Sequence, residues 1–280
     1  MNAAAAIPAS ERRLEREVAK RRRARRGAAI AALSSLLILG GLAALVLTSS
    51  GWPEVRETFF SWSEFKNAFP EVLEGFWLDV KVFMGVEAAV LVIALALALV
   101  KISSSAGLFP LRLLSIVFVD ISRGIPTVLM VYLIGFGIPA LQIVKPAPDP
   151  AILGAIALTI SYSGYVAEVY RAGIRSVHRG QHDAALAVGL THSQAMRLVI
   201  LPQGIRRVAP PLLNDFISLQ KDAALISIIG PIEAFRAAQI LQGENFNFTP
   251  LIAAALLYLA VTVPLARVVD RMGGSEGAVR

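Results

Sequence analysis

The stretch AAIAALSSLLILGGLAALVLT, residues 28–48, holds no charged side chain over 21 consecutive positions. Because an α-helix rises about 1.5 Å per residue, a helix of this length crosses the roughly 30 Å hydrocarbon core of a bilayer. The run is longer than the apolar core of about 7–15 residues in a signal peptide. No Ala-x-Ala cleavage site follows it. We therefore expect an uncleaved membrane-spanning helix.

The composition of the 280-residue chain agrees with a membrane protein. Apolar residues make up 56% and charged residues only 17%, with a mean hydropathy of +0.64, whereas a soluble domain holds about 25% charged residues. The lack of cysteine excludes disulfides, thiolate metal sites and cysteine nucleophiles. The net charge of +7 comes mostly from residues 10–26, which hold nine basic and three acidic side chains. We therefore expect no nucleic-acid partner.

Five further apolar runs have the length of a membrane span. They are Phe76–Val100, a run within Leu113–Leu141, Ala151–Val166, a run within Val208–Gly230, and Thr249–Leu265. Together with residues 28–48 they predict an all-α integral membrane protein with six transmembrane helices.

The distribution of Lys and Arg predicts the orientation, because basic loops stay on the cytoplasmic side. Segments 10–26, 101–123, 168–207 and the C-terminal segment carry nine, three, six and three basic residues, whereas 49–75, 139–150 and 231–249 carry two, one and one. Both termini are therefore expected in the cytoplasm. The expected organisation is a basic tail (1–27), a first span (28–48), an outer-side segment with a short amphipathic element (49–75), a membrane core (76–272) with a cytoplasmic loop (168–207), and a C-terminal tail (273–280).

The loop at 168–207 is too polar to span and is patterned as a helix pair. Residues 181–188 favour a helix, Gly189 fits the left-handed position that ends one, and Thr191–Gln194 matches a capping box that begins another. Pro202 is expected to limit the second helix. The small residues Ala184, Ala185 and Gly189 leave room for a partner's backbone, although the pair can equally be a simple cap over the bundle.

A polar stripe is predicted in the run within Val208–Gly230, the fifth of the six apolar runs. At 100° per residue, Asn214, Ser218 and Lys221 share one side, with Asp215 and Asp222 on its flank and Gln220 opposite. Charges at membrane depth are costly and are candidates for a translocation path. The alternative is that Lys221 and Asp222 mark a helix end near the interface.

Glu87, in the first core span, either pairs with Lys221 or lines the same path. No motif for enzyme chemistry accompanies these charges. The sequence has no P-loop, since no Gly directly precedes a Lys. His178, His182 and His192 lie in one loop without a metal-binding spacing. We expect no catalysis, no metal and no cofactor in this chain.

From about Phe76 to Met272, the chain resembles the membrane-spanning permease subunit of a bacterial ABC importer of the polar amino-acid uptake type. The resemblance rests on Asp183-Ala184-Ala185, Gly189 and Val199-Ile200-Leu201-Pro202, preceded by Arg123-Gly124-Ile125-Pro126 and Ala167-Glu168 with Arg171 and Gly173, and followed by Gln203, Arg206, Pro210, Asn214, Lys221-Asp222 and Leu225. Asp183 stands where Glu is usual, and Ala223-Ala224 stand where many relatives have Thr or Ser.

The resemblance implies a five-span type I ABC importer core plus one extra N-terminal span, in a multi-pass protein of the bacterial inner membrane. Helix 181–188 would be a coupling helix on a separate ATPase subunit, present in two copies, which binds ATP and Mg²⁺. The implied coupling residues are Asp183, Ala184, Ala185, Gly189, Leu201 and Pro202. A second permease chain, identical or related, and an extracellular or periplasmic solute-binding protein would complete the importer.

Two other functions remain open from the residues alone. A proton-coupled secondary transporter would use Glu87, Lys221 and Asp222 as a relay, and a membrane scaffold would use the helix pair to dock a signalling partner. The basic tail either binds anionic membrane lipid, at roughly 1 kcal/mol per residue near the surface, or only keeps the N-terminus inside.

Overall fold

The computed structural model describes residues 9–103 and 105–277, and all regular structure in those ranges is helical. The α-helices are α1 (Ala9–Leu47), α2 (Trp52–Phe59), α3 (Trp62–Ile102), α4 (Phe109–Gly124), α5 (Thr127–Ala140), α6 (Pro150–Ser176), α7 (Arg179–Ala187), α8 (His192–Ala195), α9 (Leu201–Asp222), α10 (Ala234–Asn245) and α11 (Thr249–Gly277). The predicted all-α class is confirmed.

The chain divides into two compact units, Met1–Glu57 and Thr58–Arg280. In the first unit, α1 is one unbroken helix through the basic residues and the first apolar run. Its described side chains, from Lys20 onward, are all exposed. The expected first span is present as Arg25–Leu47.

The predicted number of spans is met only if bent helix pairs count as single spans. Four helical runs are long and apolar enough to cross a bilayer: Arg25–Leu47, Trp52–Ile102, Pro150–Ser176 and Thr249–Val269. The two bent pairs are Ala106–Gly124 with Thr127–Ala140, at 105°, and His192–Ile229 with Ala234–Asn245, at 54°. Counted in this way, the third and fifth of the six spans, which are the second and fourth of the core, are bent.

Helix α3 is longer than predicted. It begins at Trp62 instead of Phe76, where the Ser61 hydroxyl accepts a hydrogen bond from the Glu64 amide. Its 41 residues correspond to about 60 Å, twice the hydrocarbon thickness of a bilayer. The sequence criterion missed residues 62–75 because their charges lower the hydropathy without lowering the helix propensity.

The break between α4 and α5 follows from the Arg123-Gly124-Ile125-Pro126 sequence. A residue before proline is disfavoured in α conformation, and Ile125 is extended (φ −93°, ψ 127°). Helix α6 bonds to both sides of the break, because the Tyr165 hydroxyl donates to the Arg123 carbonyl over 3.2 Å and the hydroxyls of Thr127 and Ser161 are 3.0 Å apart. The bend is therefore held by side chains of the neighbouring helix.

Helix α6 is the centre of the second unit and packs against α3, α4, α5 and α9. Glycines set the spacing of its neighbours, as expected for helices inside a membrane. A Cβ on Gly164 would lie 1.9 Å from the Ser122 hydroxyl of α4, and one on Gly154 would lie 2.6 Å from the Ile226 side chain. The helices therefore approach too closely for larger residues.

A buried polar cluster joins α3, α10 and α11 at the end of the bundle far from α7. The Tyr258 hydroxyl contacts Asp79 Oδ2 at 2.7 Å and Glu233 Oε2 at 3.2 Å. Glu233 also accepts hydrogen bonds from the backbone amides of Phe235 and Arg236, which begin α10. Asp79 and Glu233 are fully buried, so this cluster fixes the start of α10 against α3.

Candidate functional site

The polar loop is shorter than predicted. Helix α6 continues to Ser176, so Glu168, Arg171 and Gly173 lie in a helix that is long enough to span the membrane, not in the loop. The connection between α6 and α9 is residues 177–200, which contains α7 and α8 and is called the α6–α9 loop below. The predicted start at 168 was wrong because the charges of that helix are paired within the bundle.

Both predicted features of the turn between α7 and α8 are confirmed. Gly189 has φ +89°, and the Leu190 and Gly189 amides donate to the carbonyls of Ala185 and Leu186, which is the Schellman pattern at a helix end. Thr191 and Gln194 form a complete capping box at the start of α8. The turn therefore has a defined geometry.

The predicted limit at Pro202 is wrong. The chain stays helical from His192 through Pro202 to Asp222, with a π-helical turn at Met196–Ile200 just before the proline. Proline is tolerated in the first turn of a helix, where its missing N–H has no partner to lose. Leu201 is partly buried and Pro202 is exposed, both at the start of α9.

Helix α7 has one side packed on α8 and the π-helical turn Met196–Ile200, and one side exposed. Ala185 is only 5% exposed, so it packs within the chain and is not on the open surface as predicted. Asp183 and Ala184 are exposed, as are Gly189 and Val188, the last by 79%. The surface that a partner can reach therefore includes the small or apolar residues Ala184 and Val188 beside the exposed Asp183.

A network of charged side chains holds the base of the α6–α9 loop. Glu168 of α6 bonds to Lys101, at the end of α3, with Nζ and Oε1 2.5 Å apart, and accepts from Arg171 Nε over 2.8 Å. The Glu168 and Lys101 side chains are only 17% and 10% exposed. One carboxylate therefore neutralises two cations where α3 and α6 meet.

The three loop histidines make local contacts. The His178 side chain accepts a hydrogen bond from the Gly180 amide at the start of α7. His182 and His192 stack with ring centroids 5.2 Å apart, so they connect α7 to α8. In the described parts of the chain, no group of three or more His, Asp or Glu side chains is placed to bind a metal ion. The histidines therefore contribute local contacts within the α6–α9 loop.

The polar stripe of α9 (Asn214, Ser218 and Lys221) is arranged as the helical period predicts. All three side chains are exposed on the surface of this chain. Gln220, on the opposite side, is buried and accepts a hydrogen bond from the Thr262 hydroxyl over 3.2 Å. The α-helix ends at Asp222, and the 3₁₀ turn Ala223–Ile229 continues into the core.

An acidic cluster, consisting of Glu87, Asp215 and Asp222, flanks the polar stripe. Asp222 Oδ2 accepts a hydrogen bond from the Tyr162 hydroxyl over 2.8 Å. Asp215 interacts electrostatically with Glu87, and its Oδ2 is buried without a hydrogen-bond partner. The salt bridges of the described residues do not include a Glu87–Lys221 pair. The first interpretation of Glu87, a pair with Lys221, therefore does not fit the structure, whereas the second, that Glu87 lines the path, stays a prediction.

Sequence reasoning missed Lys101, Tyr162 and Asp215 as site residues. Lys101 contacts Glu168 across 67 positions of sequence, a separation that no local pattern reveals. Tyr162 lies in the apolar α6, where a tyrosine is ordinarily a core residue. Asp215 was placed on the flank of the stripe, and only its proximity to Glu87 shows that it belongs to the acidic cluster.

The fold is that of a multi-pass helical membrane protein in which a helical loop, the α6–α9 loop, connects two of the membrane helices. A family model described as "Binding-protein-dependent transport system inner membrane component" matches residues 103–273. The chain belongs to this family. It is the membrane permease of an ABC importer and not an enzyme, because ATP hydrolysis belongs to a separate subunit. Family membership implies an ATPase and a solute-binding protein as partners.

Individual relatives match over most of their length. The probable glutamine ABC transporter permease protein GlnM of Bacillus subtilis is 34% identical over 199 residues, which cover 71% of this chain and 89% of the relative. The glutamine transport system permease protein GlnP of Escherichia coli is 33% identical over 218 residues, covering 76% and 96%.

Solved structures give the same fold. A structure described as an amino acid ABC transporter with histidines has a TM-score of 0.68 and 31% identity, and the match covers 75% of this chain and 96% of that one. An inward-facing MetNI methionine ABC transporter has a TM-score of 0.59 at 18% identity, over 72% and 94%. The second likeness concerns the fold alone.

Proposed function

We propose that this permease carries a polar amino acid into the cytoplasm and that the α6–α9 loop couples this transport to the ATPase. The observation that carries the proposal is that this chain exposes two surfaces of different chemistry, one on α7 and one on α9. The small-residue surface of α7 is open to a partner, and the polar stripe of α9 is open along a membrane helix. The names of the relatives, which specify glutamine and arginine, support an amino-acid substrate.

The polar stripe supports a path between two permease chains. An exposed lysine is unfavourable against lipid, with a cost of about 2.5–3.5 kcal/mol at mid-membrane. A second permease chain, identical or related, would place this surface at an interface around a water-filled route. The working assembly is then two permeases and two ATPases, served by a solute-binding protein outside the membrane.

The charges along the path suit a zwitterion. The acidic cluster attracts an ammonium group, and Lys221 attracts a carboxylate. Asp215 supplies a buried oxygen that has no hydrogen-bond partner among the described residues, and such an oxygen is costly unless a donor reaches it. An amino acid brings both a donor and an acceptor, so the arrangement favours it over an apolar solute.

The proposed orientation places the α6–α9 loop and both termini in the cytoplasm. The excess of Lys and Arg in segments 10–26 and 168–207 supports this orientation. In this organisation residues 1–27 are a cytoplasmic tail, 28–48 an additional span, 76–272 the permease core and 273–280 a second tail. The start of α3 at Trp62 then extends the core helix into the outer-side segment 49–75.

Introducing a bulky charge on the exposed side of α7 is expected to weaken ATPase docking. For Ala184→Arg and Val188→Glu we expect about tenfold less ATPase co-purified with the permease, because a desolvated charge at a close interface costs 1–2 kcal/mol or more. Both side chains are exposed in the free chain, so permease yield and Tm are expected to stay unchanged. Co-purification from membranes, with quantitative blotting of both subunits, measures this.

The matched comparison is Ala185→Leu, one position away. Since Ala185 is buried, this variant is expected to lower the yield and Tm of the permease itself. If Ala184→Arg and Val188→Glu keep full ATPase recovery at normal permease yield, the α7 surface is not the docking site.

Removing the charge of Lys221 is expected to impair transport without affecting assembly. For Lys221→Gln in proteoliposomes containing the ATPase and the binding protein, we expect about fivefold slower ATP-driven uptake of labelled glutamine or arginine, with normal ATPase recovery. The control is Lys81→Gln, an exposed cation that lies 5.9 Å from the Trp77 ring. Equal uptake by the two variants would show that the polar stripe does not line the path.

The same proteoliposomes distinguish the alternative functions. Uptake by the permease alone under a pH gradient, abolished by Glu87→Gln, would show secondary transport. If no amino acid is taken up with either ATP or a pH gradient while all partners are present, only the scaffold function remains.

A further inference from the structure

We propose that the basic part of α1, where its membrane span begins, is a binding site for anionic phospholipid headgroups. The structure extends α1 without interruption from Ala9 to Leu47. It therefore holds the basic residues on a rigid extension of the span Arg25–Leu47.

The basic side chains lie around the whole helix. Lys20, Arg22, Arg23, Arg25 and Arg26 are all exposed. At 100° per residue the widest gap between any two neighbours around the axis is about 140°, so every half of the helix surface carries at least one cation. These five residues are called the basic collar below.

The height of the collar matches the headgroup layer. From residue 20 to residue 26 the helix rises about 9 Å, and the polar layer on each side of a bilayer is about 5–7 Å thick. No acidic residue occurs between positions 18 and 27, so the collar has no internal counter-charge. Its charge is available to anions at that depth.

The distribution around the axis favours lipid over a protein partner. A docked protein covers one side of a helix, so its binding residues lie on one face. Lipid headgroups surround a spanning helix on all sides. Juxtamembrane clusters of four to eight Lys and Arg attract anionic lipid with about 1 kcal/mol per residue. The collar therefore suits several lipid phosphates at once.

Lipid counting on the full-length chain tests this proposal. The purified protein is incubated with equimolar phosphatidylglycerol and phosphatidylcholine, and native mass spectrometry counts the bound molecules of each. The variant Lys20→Gln/Arg22→Gln/Arg23→Gln keeps Arg21, Arg25 and Arg26, which preserves a basic inner flank for insertion. We expect its preference for phosphatidylglycerol to be at least tenfold below that of the wild type.

Three controls decide the cause. Arg22→Lys/Arg23→Lys keeps the charge and is expected to stay within twofold of the wild type, as is the triple variant Arg56→Gln/Lys66→Gln/Lys145→Gln. Raising the salt from about 0.05 M to about 0.5 M is expected to reduce the wild-type preference, because the screening length shortens. An unchanged preference in the collar variant overturns the proposal, and so does a loss of a co-purified protein without a change in bound lipid.

Discussion

Glu168→Gln is expected to destabilise the permease by about 1.5–3 kcal/mol, the range for hydrogen bonds to a charged group in a partly buried network. The substitution leaves Lys101 and Arg171 close together without their shared carboxylate. Because these residues join the end of α3 to α6, loosening is expected to start at the base of the α6–α9 loop. Thermal unfolding of the purified protein, followed by tryptophan fluorescence, measures the loss.

The control for charge alone is Glu71→Gln, an exposed carboxylate on α3. Its expected effect is within about 0.5 kcal/mol of zero. The double variant Lys101→Met/Glu168→Gln is expected to be more stable than Glu168→Gln, because only Arg171 is then left unpaired and its side chain is 30% exposed. A Tm for Glu168→Gln equal to that of Glu71→Gln would contradict the role of this network.

Gly173→Leu is expected to prevent the close crossing of α6 and α9 and to abolish stable folding. Even the Cβ of Gly173→Ala would lie 2.1 Å from Val208 Cγ1 and 2.9 Å from the Gly204 carbonyl oxygen. Overpacking of this kind costs about 1–3 kcal/mol for one methyl group, which outweighs the gain of about 1 kcal/mol in helix propensity. Yield and Tm of the two variants measure the effect.

Two comparisons identify the crossing as the cause. Gly137→Ala, in α5, places its methyl group in open space and is expected to be neutral or slightly stabilising. Val208→Ala removes the methyl group that Gly173→Ala contacts, so the double variant is expected to regain part of the lost stability. A double variant less stable than both single variants would argue against this contact.

The features that the sequence predicted were those with a local physical cause. The left-handed Gly189, the capping box at Thr191 and the exposure of Asn214, Ser218 and Lys221 each follow from a few neighbouring residues and the helical period. The partners and the five-span core were predicted only from the family resemblance, because local sequence patterns do not indicate them.

The features that the sequence did not predict depend on contacts between distant segments. The burial of Ala185 is decided by which side of α7 packs on α8 and the π-helical turn, and small residues lie on both sides of α7. The extent of α6 was underestimated because Glu168 is polar, yet its charge is paired with Lys101 of another helix. The 105° bend at Ile125–Pro126 had a visible cause in the proline, but its angle depends on support from Tyr165 and Ser161.

The helical run from His192 to Asp222, with its π-helical turn at Met196–Ile200, has a consequence for the proposed path. A helix turns as a unit, so torsion applied at the α6–α9 loop reaches Asp222 about 45 Å away. One residue corresponds to 100° of rotation. Such a turn would bring Asp215 and Asp222 to the positions of Asn214 and Lys221. On the proposed path, the sign of the electrostatic field around a solute would then depend on the rotation of this one helix.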